Sequence, residues 1–145
     1  MPNIPISEPA ARARLLVEQM TLLPDNQARL LQIVERARRE PPLPDALRRD
    51  DFKIAGCVSE LWLVPAFEGE RLRFLADATA AIPKGVALLL CDVYSGGTPA
   101  EILALGDDFI REAGLPQMLS ANRSNGLSHL HARILRHAST AALSP

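Results

Sequence analysis

The sequence predicts an α+β fold in which helices pack on one side of a small antiparallel three-stranded sheet. Apolar residues recur at helical spacing over the first forty residues and again beyond residue 80. The stretch between them is rich in β-branched and aromatic residues, and a glycine between two glutamates at 68–70 indicates a hairpin turn. With 145 residues, 48% of them hydrophobic, the chain has enough apolar material for one core. We predict a single domain over residues 1–145, with a core from about residue 10 to residue 140 and frayed ends.

Two amphipathic helices are predicted in the first forty residues. The first begins at Ser7 as N-cap, with Pro9 in its first turn, and Pro24 ends it. The second starts at Asp25 and carries apolar residues on one side and arginines mostly on the other. Three prolines within the stretch 40–50 force the chain out of helical geometry, so we expect a surface connector there.

Three strands are predicted next, over 52–56, 61–67 and 72–76. In the third, alternation places Arg73 on the wet face and Phe74 on the dry one. The rest of the chain is predicted to be helical. We expect a buried central helix over 82–93, a short helix near 99–105, and a long last helix that begins near 120–122 and packs back on the sheet.

The charge balance argues against several classes of partner. Sixteen basic residues nearly cancel seventeen acidic ones, so the chain lacks the positive field that holds nucleic acid or an anionic membrane surface. The apolar run 85–91 is too short to cross a bilayer. Residues 1–8 show no secretory signal. We therefore expect a cytoplasmic protein that binds neither nucleic acid nor membrane.

Cys57 and Cys91 are expected to be free thiols in a reducing compartment. Cys57 follows Gly56 between two predicted strands, where a loop tip presents the thiol, so it is the candidate reactive residue. A small buried hydrophobic residue is the alternative interpretation. Cys91 lies among leucines on an apolar helix and is assigned to the core. The cysteines and histidines do not form a zinc-binding pattern, so no metal site is expected.

A Cys-dependent hydrolase is one alternative chemistry, with His131 or His129 as the base for Cys57. His131 lies on the apolar stripe of the last helix, which favours a core or boundary role. His129 and His137 fall nearer the wet faces.

Four blocks of the chain resemble the motifs of the SufE family, whose members are sulfur-acceptor partners of cysteine desulfurases. GCVSELWL at 56–63 is similar to the family's G-C-x-S-x-[VL]-W signature, and AAIPKG at 80–85 to its A-x-I-V-K-G helix start. TPAEI at 98–102 and LSANRSNGL at 119–127 resemble its T-P-x-[DE]-I and L-[ST]-x-x-R-x-x-G-L blocks. The resemblance covers about residues 24–138, nearly the whole chain.

The resemblance implies an α+β fold similar to that of the iron–sulfur scaffold protein IscU, with Cys57 as the residue that carries a persulfide. Gly56, Ser59, Trp62 and Arg123 are the implied supports of its loop and pocket. We also expect Trp62 to anchor the sheet and an apolar niche beside it, or beside the next residue, to shield the persulfide.

The implied protein is an accessory of sulfurtransferase type, not an independent enzyme. It needs no bound cofactor, because the pyridoxal phosphate belongs to the partner, a SufS-like cysteine desulfurase. The implied recipient is a SufBCD-type iron–sulfur scaffold, and a homodimer is left open.

The chain departs from the family pattern beside the predicted central helix. Ala78-Thr79-Ala80 stands where the family shows Ser-Asp-Ala, so a carboxylate that holds the cysteine loop closed is expected to be missing. Pro83 replaces a branched residue. These departures predict a differently tuned loop and a different desulfurase partner, without loss of the Cys57 chemistry.

Three further alternatives remain at this stage. A CsdE-like adaptor would serve another desulfurase and another sulfur destination, and a noncovalent interaction module would use no thiol chemistry. An iron–sulfur scaffold would need more thiolates than two cysteines supply.

Overall fold

The computed structural model describes residues 8–56 and 59–143, and it has the predicted α+β class. The elements in chain order are α1 (Pro9–Thr21), α2 (Asn26–Arg39), β1 (Leu61–Glu68), β2 (Arg71–Ala78), α3 (Ala81–Tyr94), α4 (Pro99–Ala104), α5 (Asp108–Glu112), α6 (Leu115–Met118) and α7 (Ala121–Leu143). Two 3-10 turns, Asp45–Leu47 and Asp50–Phe52, lie between α2 and β1. Within the described ranges no helix is both long enough and apolar enough to span a membrane.

The two N-terminal helices form as the sequence predicts. The Asp25 carboxylate accepts a hydrogen bond from the Ala28 amide at 2.9 Å and so caps α2. α1 begins at Pro9 with Glu8 at its N-cap position, so the predicted N-cap at Ser7, which lies outside the described residues, is wrong by one residue. The connector 40–50 is mostly exposed, as expected for a proline-bearing surface segment.

The sheet has two strands, so the predicted third strand over 52–56 is wrong. β1 and β2 pair antiparallel from Leu61–Ala78 to Glu68–Arg71. The expected strand begins in a 3-10 turn and reaches β1 only at an isolated bridge from Lys53. Gly56, with φ +83°, then turns the chain away from the sheet before a ladder can form.

Helix α3 is the buried centre of the molecule, as predicted. It packs against α2 on one side and β2 on the other. A Cβ on Gly85 would collide with the main-chain oxygen of Ile33 and lie 2.6 Å from its Cγ2. Glycine therefore permits the close approach of α2 and α3.

The C-terminal part differs from the prediction in two ways. Helices α5 and α6 were not predicted, because four or five residues are too few to show a helical period. The last helix α7 packs chiefly against α3 and α4 instead of the sheet. It reaches the sheet through His137, whose ring lies 6.3 Å from that of Phe74.

Candidate functional site

The candidate site is the loop 55–60, whose ends are fixed by hydrogen bonds. Cys57, the predicted reactive residue, lies outside the described residues together with its neighbour Val58. At the base of the loop the Ile54 amide donates to the Leu61 carbonyl at 2.8 Å. Lys53 Nζ also lies 2.9 Å from a Glu60 carboxylate oxygen. The chain that leads to Cys57 and away from it is therefore fixed at the mouth of the loop.

Thr79 holds the exit of this loop, at the position where a family carboxylate was expected to be missing. The Glu60 amide donates to the Thr79 hydroxyl at 3.1 Å. In return, the Thr79 amide donates to the Glu60 carbonyl at 3.0 Å. A neutral hydroxyl thus secures the end of the loop.

An apolar cavity of about 190 Å³ opens beside the loop. Ser59 reaches it from the loop, and most of the other residues that line it are apolar side chains of α3, α7 and the start of β1. Leu61 lines the cavity. The apolar niche was expected beside Trp62 or Leu63, but neither residue lines the cavity. Alternation along β1 explains this, because Trp62 points to the opposite face of the strand from Leu61. The predicted support residue Arg123 lies at the cavity wall.

A second, polar hollow of about 480 Å³ is lined by residues on both sides of Cys57 in the chain. Gly56 and Ser59 line it together with the charged side chains of Asp50, Lys53 and Glu60. Ser59 is therefore shared by the apolar cavity and the polar hollow. The described residues that flank Cys57 thus border one apolar surface and one charged surface.

Gly56 packs directly against the imidazole of His129 on α7. A Cβ at this glycine would lie 2.6 Å from both Cδ2 and Nε2 of that ring. Its φ of +83° is also a conformation that residues with a side chain rarely adopt. Gly56 thus permits both the turn of the chain and the close contact with His129, which the sequence named only as a secondary base for Cys57.

The other two histidines are engaged elsewhere. His131 Nε2 lies 2.8 Å from the Tyr94 hydroxyl, and burial lowers the pKa of this half-buried imidazole despite the carboxylate of Asp107. This arrangement agrees with the boundary role predicted for His131. His137 packs against Phe74, and burial lowers the pKa of its ring as well.

Trp62 is buried at the start of β1, where it supports the segment that precedes the loop. The Arg48 guanidinium lies over its ring, 5.1 Å from the centroid. The same guanidinium bonds to the Asp77 carboxylate at 2.6 Å. Trp62 is therefore buried on the face of β1 opposite the main core cluster, beneath a cation that the sequence did not associate with it.

Asp77 is a buried acid that sequence reasoning missed. Besides Arg48, it accepts a hydrogen bond from the Leu43 amide at 2.9 Å and lies 3.4 Å from Lys84 Nζ. Burial alone would raise the pKa of Asp77, but these donors and the Ala78 amide outweigh it, so the pKa lies below its usual value. The signal that could have identified it is a single carboxylate between two apolar residues in the strand sequence. It was missed because Asp77 lies one residue beyond the predicted end of that strand.

Cys91 lies in the core, as predicted, with 3% of its surface exposed. Burial, reinforced by the charge of Asp92, raises the pKa of its thiol far above the usual range. Such a thiol does not form the thiolate that sulfur chemistry requires. In the described part of the chain, no three His, Cys, Asp or Glu side chains come together as a metal site would require.

Comparison with known proteins places the chain among proteins named for sulfur handling. The sequence model of SufE, described as an Fe-S metabolism associated domain, matches residues 14–138. The chain is 34% identical to the sulfur acceptor protein CsdE of Escherichia coli over 110 residues, which cover 72% of each protein. It is 32% identical to SufE-like protein 1, chloroplastic/mitochondrial, of Arabidopsis thaliana over 127 residues. That match covers 87% of this chain and only 34% of the plant protein, so the chain spans about a third of the plant protein's length.

A solved structure shares the fold. The solution structure of a hypothetical protein from Thermus thermophilus superimposes with a TM-score of 0.76 at 23% identity, covering 92% of this chain and 97% of the other.

Proposed function

The chain belongs to the SufE family, and on this basis we propose that it accepts sulfur from a pyridoxal-phosphate-dependent cysteine desulfurase and carries it as a persulfide on Cys57. The observation that carries the proposal is the setting of the residues that flank Cys57: Ser59 lines both an apolar cavity and a charged hollow, and hydrogen bonds hold the chain on both sides of the cysteine.

The transfer is a thiol exchange that needs no metal and no oxidant. The Cys57 thiolate attacks the outer sulfur of the persulfide on the desulfurase, and a new S–S bond forms at Cys57. The S–S bond within the donor breaks, and the donor cysteine leaves as a thiolate. By removing the sulfur, the acceptor frees the desulfurase for its next turnover, and we therefore propose that it stimulates that enzyme.

The apolar cavity suits the product of this exchange. A persulfide carries one more sulfur atom than the thiol, and the cavity of about 190 Å³ beside Ser59 and Leu61 has room for it. Apolar walls exclude water and the polar thiols that would reduce the persulfide. Arg123 at the cavity wall offers a positive charge to a terminal sulfur that carries negative charge.

We further propose that the donor is a SufS-like enzyme of the cytoplasm and that the sulfur passes to a SufBCD-type scaffold for iron–sulfur cluster assembly. The similarity to CsdE favours a second candidate, in which the chain serves a different desulfurase and a different recipient. Pull-down of the chain with each purified desulfurase separates the two, because the cognate enzyme is retained and the other is not.

The test is to incubate the purified chain with an active desulfurase and L-cysteine, without reductant, and to map the product by intact and peptide mass spectrometry. We expect one added sulfur atom on the peptide that contains Cys57, removable by a thiol reductant. Cys57→Ser should abolish both the adduct and the stimulation of the desulfurase. The matched control is Cys91→Ala, which changes the buried cysteine and should leave both unchanged.

Full stimulation by Cys57→Ser would contradict the covalent mechanism and support a noncovalent interaction module. Absence of an adduct with every active desulfurase tested would contradict the acceptor role as a whole.

A further inference from the structure

A separate cavity lies between α5, α6 and α7, and no residue of the loop 55–60 lines it. Its volume is about 230 Å³, smaller than the roughly 300 Å³ at which sites for drug-sized ligands begin, so its ligand must be small. Ile110, Pro116 and Leu127 form the apolar part of its wall, and the rest of the wall is polar or charged. A mainly apolar wall with a few polar groups is typical of small-molecule sites.

Two opposite charges line this cavity about one helical turn apart. Asp107 directly precedes α5, and Arg111 lies four residues later on that helix. Side chains at this spacing are neighbours, but Arg111 Nη2 lies 3.3 Å from Asp108 instead, in an exposed and therefore weak pair. Within the described part of the chain, no ion pair joins Asp107 to a cation. The Asp107 carboxylate is therefore available to a cation that enters the cavity.

Asp107 also acts on the polar pair that closes the inner end of this region. The Tyr94 hydroxyl lies 2.8 Å from His131 Nε2, and His131 lines the cavity. Burial raises the pKa of the Tyr94 hydroxyl, and the charge of Asp107 adds to this rise. Burial lowers the pKa of His131 although Asp107 opposes it, so the imidazole is neutral at neutral pH. The negative charge of Asp107 is therefore not cancelled from this side.

Helix α7 adds two hydroxyl groups to the cavity. Ser124 and Ser128 both line it and lie four residues apart, on one face of the helix. Among the described residues neither hydroxyl has a hydrogen-bond partner. A hydroxyl can donate to a carboxylate and accept from an ammonium group. The polar wall can therefore bind either kind of charged group.

We propose that this cavity binds a small α-amino acid with an apolar side chain. The ammonium group of such a ligand pairs with Asp107, its carboxylate pairs with Arg111, and its side chain packs against Ile110 and Leu127. Both charged groups of an α-amino acid are attached to one carbon atom, which suits two opposite charges that are neighbours on the wall. The inference does not depend on the function proposed above, because it uses no residue of the cysteine loop.

The test is an NMR titration of the isotope-labelled full chain with L-valine and with two analogues that each lack one charged group. Isovalerate lacks the ammonium group of valine, and isobutylamine lacks its carboxylate. We expect L-valine to shift the amide signals of α5 and of the first half of α7, with saturation below about 50 mM ligand. Each analogue should bind about tenfold more weakly, because one charged wall residue loses its partner.

Two variants assign each charge of the ligand to one residue. Asp107→Asn should remove the tenfold preference for L-valine over isovalerate, and Arg111→Gln should remove the preference over isobutylamine. The matched control is Glu112→Gln, which changes an exposed charge on α5 that does not line the cavity and should keep both preferences. The amide spectrum of each variant also shows whether it is folded.

Three results would overturn the proposal. The first is the absence of a saturable shift with L-valine, and the second is a set of shifts confined to another surface. The third is equal affinity of the wild type for L-valine and for either analogue, which would exclude recognition of both charges. All three are measured on the wild type, so they decide the question even if a variant does not fold.

Discussion

A Cβ added at Gly85 would strike the main-chain oxygen of Ile33, whereas one added at Gly56 would strike the imidazole of His129. The first glycine lies inside the core, where α2 and α3 approach too closely for a side chain. The second lies at the surface, in a turn with positive φ. A backbone oxygen held by a helix cannot move aside, but an exposed imidazole can. The core glycine therefore serves the close packing of two helices, and the loop glycine serves the turn of the chain beside His129.

The largest effect on stability is expected for Asp77→Asn. This variant tests how the buried carboxylate holds the connector 40–50 and the start of β1. The variant leaves the cations of Arg48 and Lys84 without their anion and should lower the free energy of unfolding by about 3 kcal/mol. Urea unfolding measures this loss. The exposed Asp108→Asn breaks an equivalent surface pair and should change stability by less than about 0.5 kcal/mol.

The loss in Asp77→Asn should depend on pH. The pKa of Asp77 is depressed in the folded state, so its stabilising contribution is present above the unfolded value of about 3.9. It is lost as the pH falls through the lower folded value. The gap between wild type and variant should therefore close below about pH 4. A gap that stays constant on acidification would contradict the assignment to the carboxylate charge.

Gly85→Ala tests the core side of the glycine comparison. The added methyl must push α2 away from α3, and we expect a loss of about 2 kcal/mol in unfolding free energy, net of the better helix propensity of alanine. Gly106→Ala is the control, because nothing lies within 4 Å of a Cβ placed there. Equal stability of the two variants in urea would show that the close contact between the helices is not rigid.

Gly56→Ala tests the loop side. Its positive φ should cost about 1 kcal/mol of stability, and the collision of the new Cβ with the His129 ring should add to this loss in urea unfolding. Gly69→Ala carries the same conformational penalty at φ +63° with nothing within 4 Å, so it should lose less stability than Gly56→Ala. Combining Gly56→Ala with His129→Ala isolates the contact. If the two losses in unfolding free energy simply add, the residues are not coupled.

The smallest functional effect is expected for Cys91→Ala. In the wild type, burial raises the pKa of the Cys91 thiol, so Cys91 should resist iodoacetamide in the native protein and react only after unfolding. In Cys91→Ala, sulfur uptake on Cys57 should continue at the wild-type rate. Peptide mass spectrometry with and without urea checks both statements. Native labelling of Cys91 at a rate similar to that of Cys57 would contradict the division of the molecule into a closed core and an accessible loop.

Features that depend on only a few neighbouring residues could be predicted from the sequence. The Asp25 cap, the hairpin between β1 and β2 and the burial of Cys91 follow from local spacing and composition. The prediction of a third strand over 52–56 was wrong because strand pairing depends on geometry outside that stretch. A β-strand needs a continuous ladder of hydrogen bonds to its neighbour, and this stretch pairs with β1 only at the single bridge from Lys53.

The sequence by itself determined the α+β class, the family and the choice of Cys57 over Cys91, because apolar periodicity and short motifs are properties of the linear chain. Only the tertiary structure decided which histidine contacts Gly56, which residues line the apolar cavity and which cations pair with Asp77. Each of these joins residues far apart in sequence, as His129 and Gly56 do. Whether such residues come into contact depends on how helices and strands pack, and no local sequence pattern specifies a contact between residues so far apart in the chain.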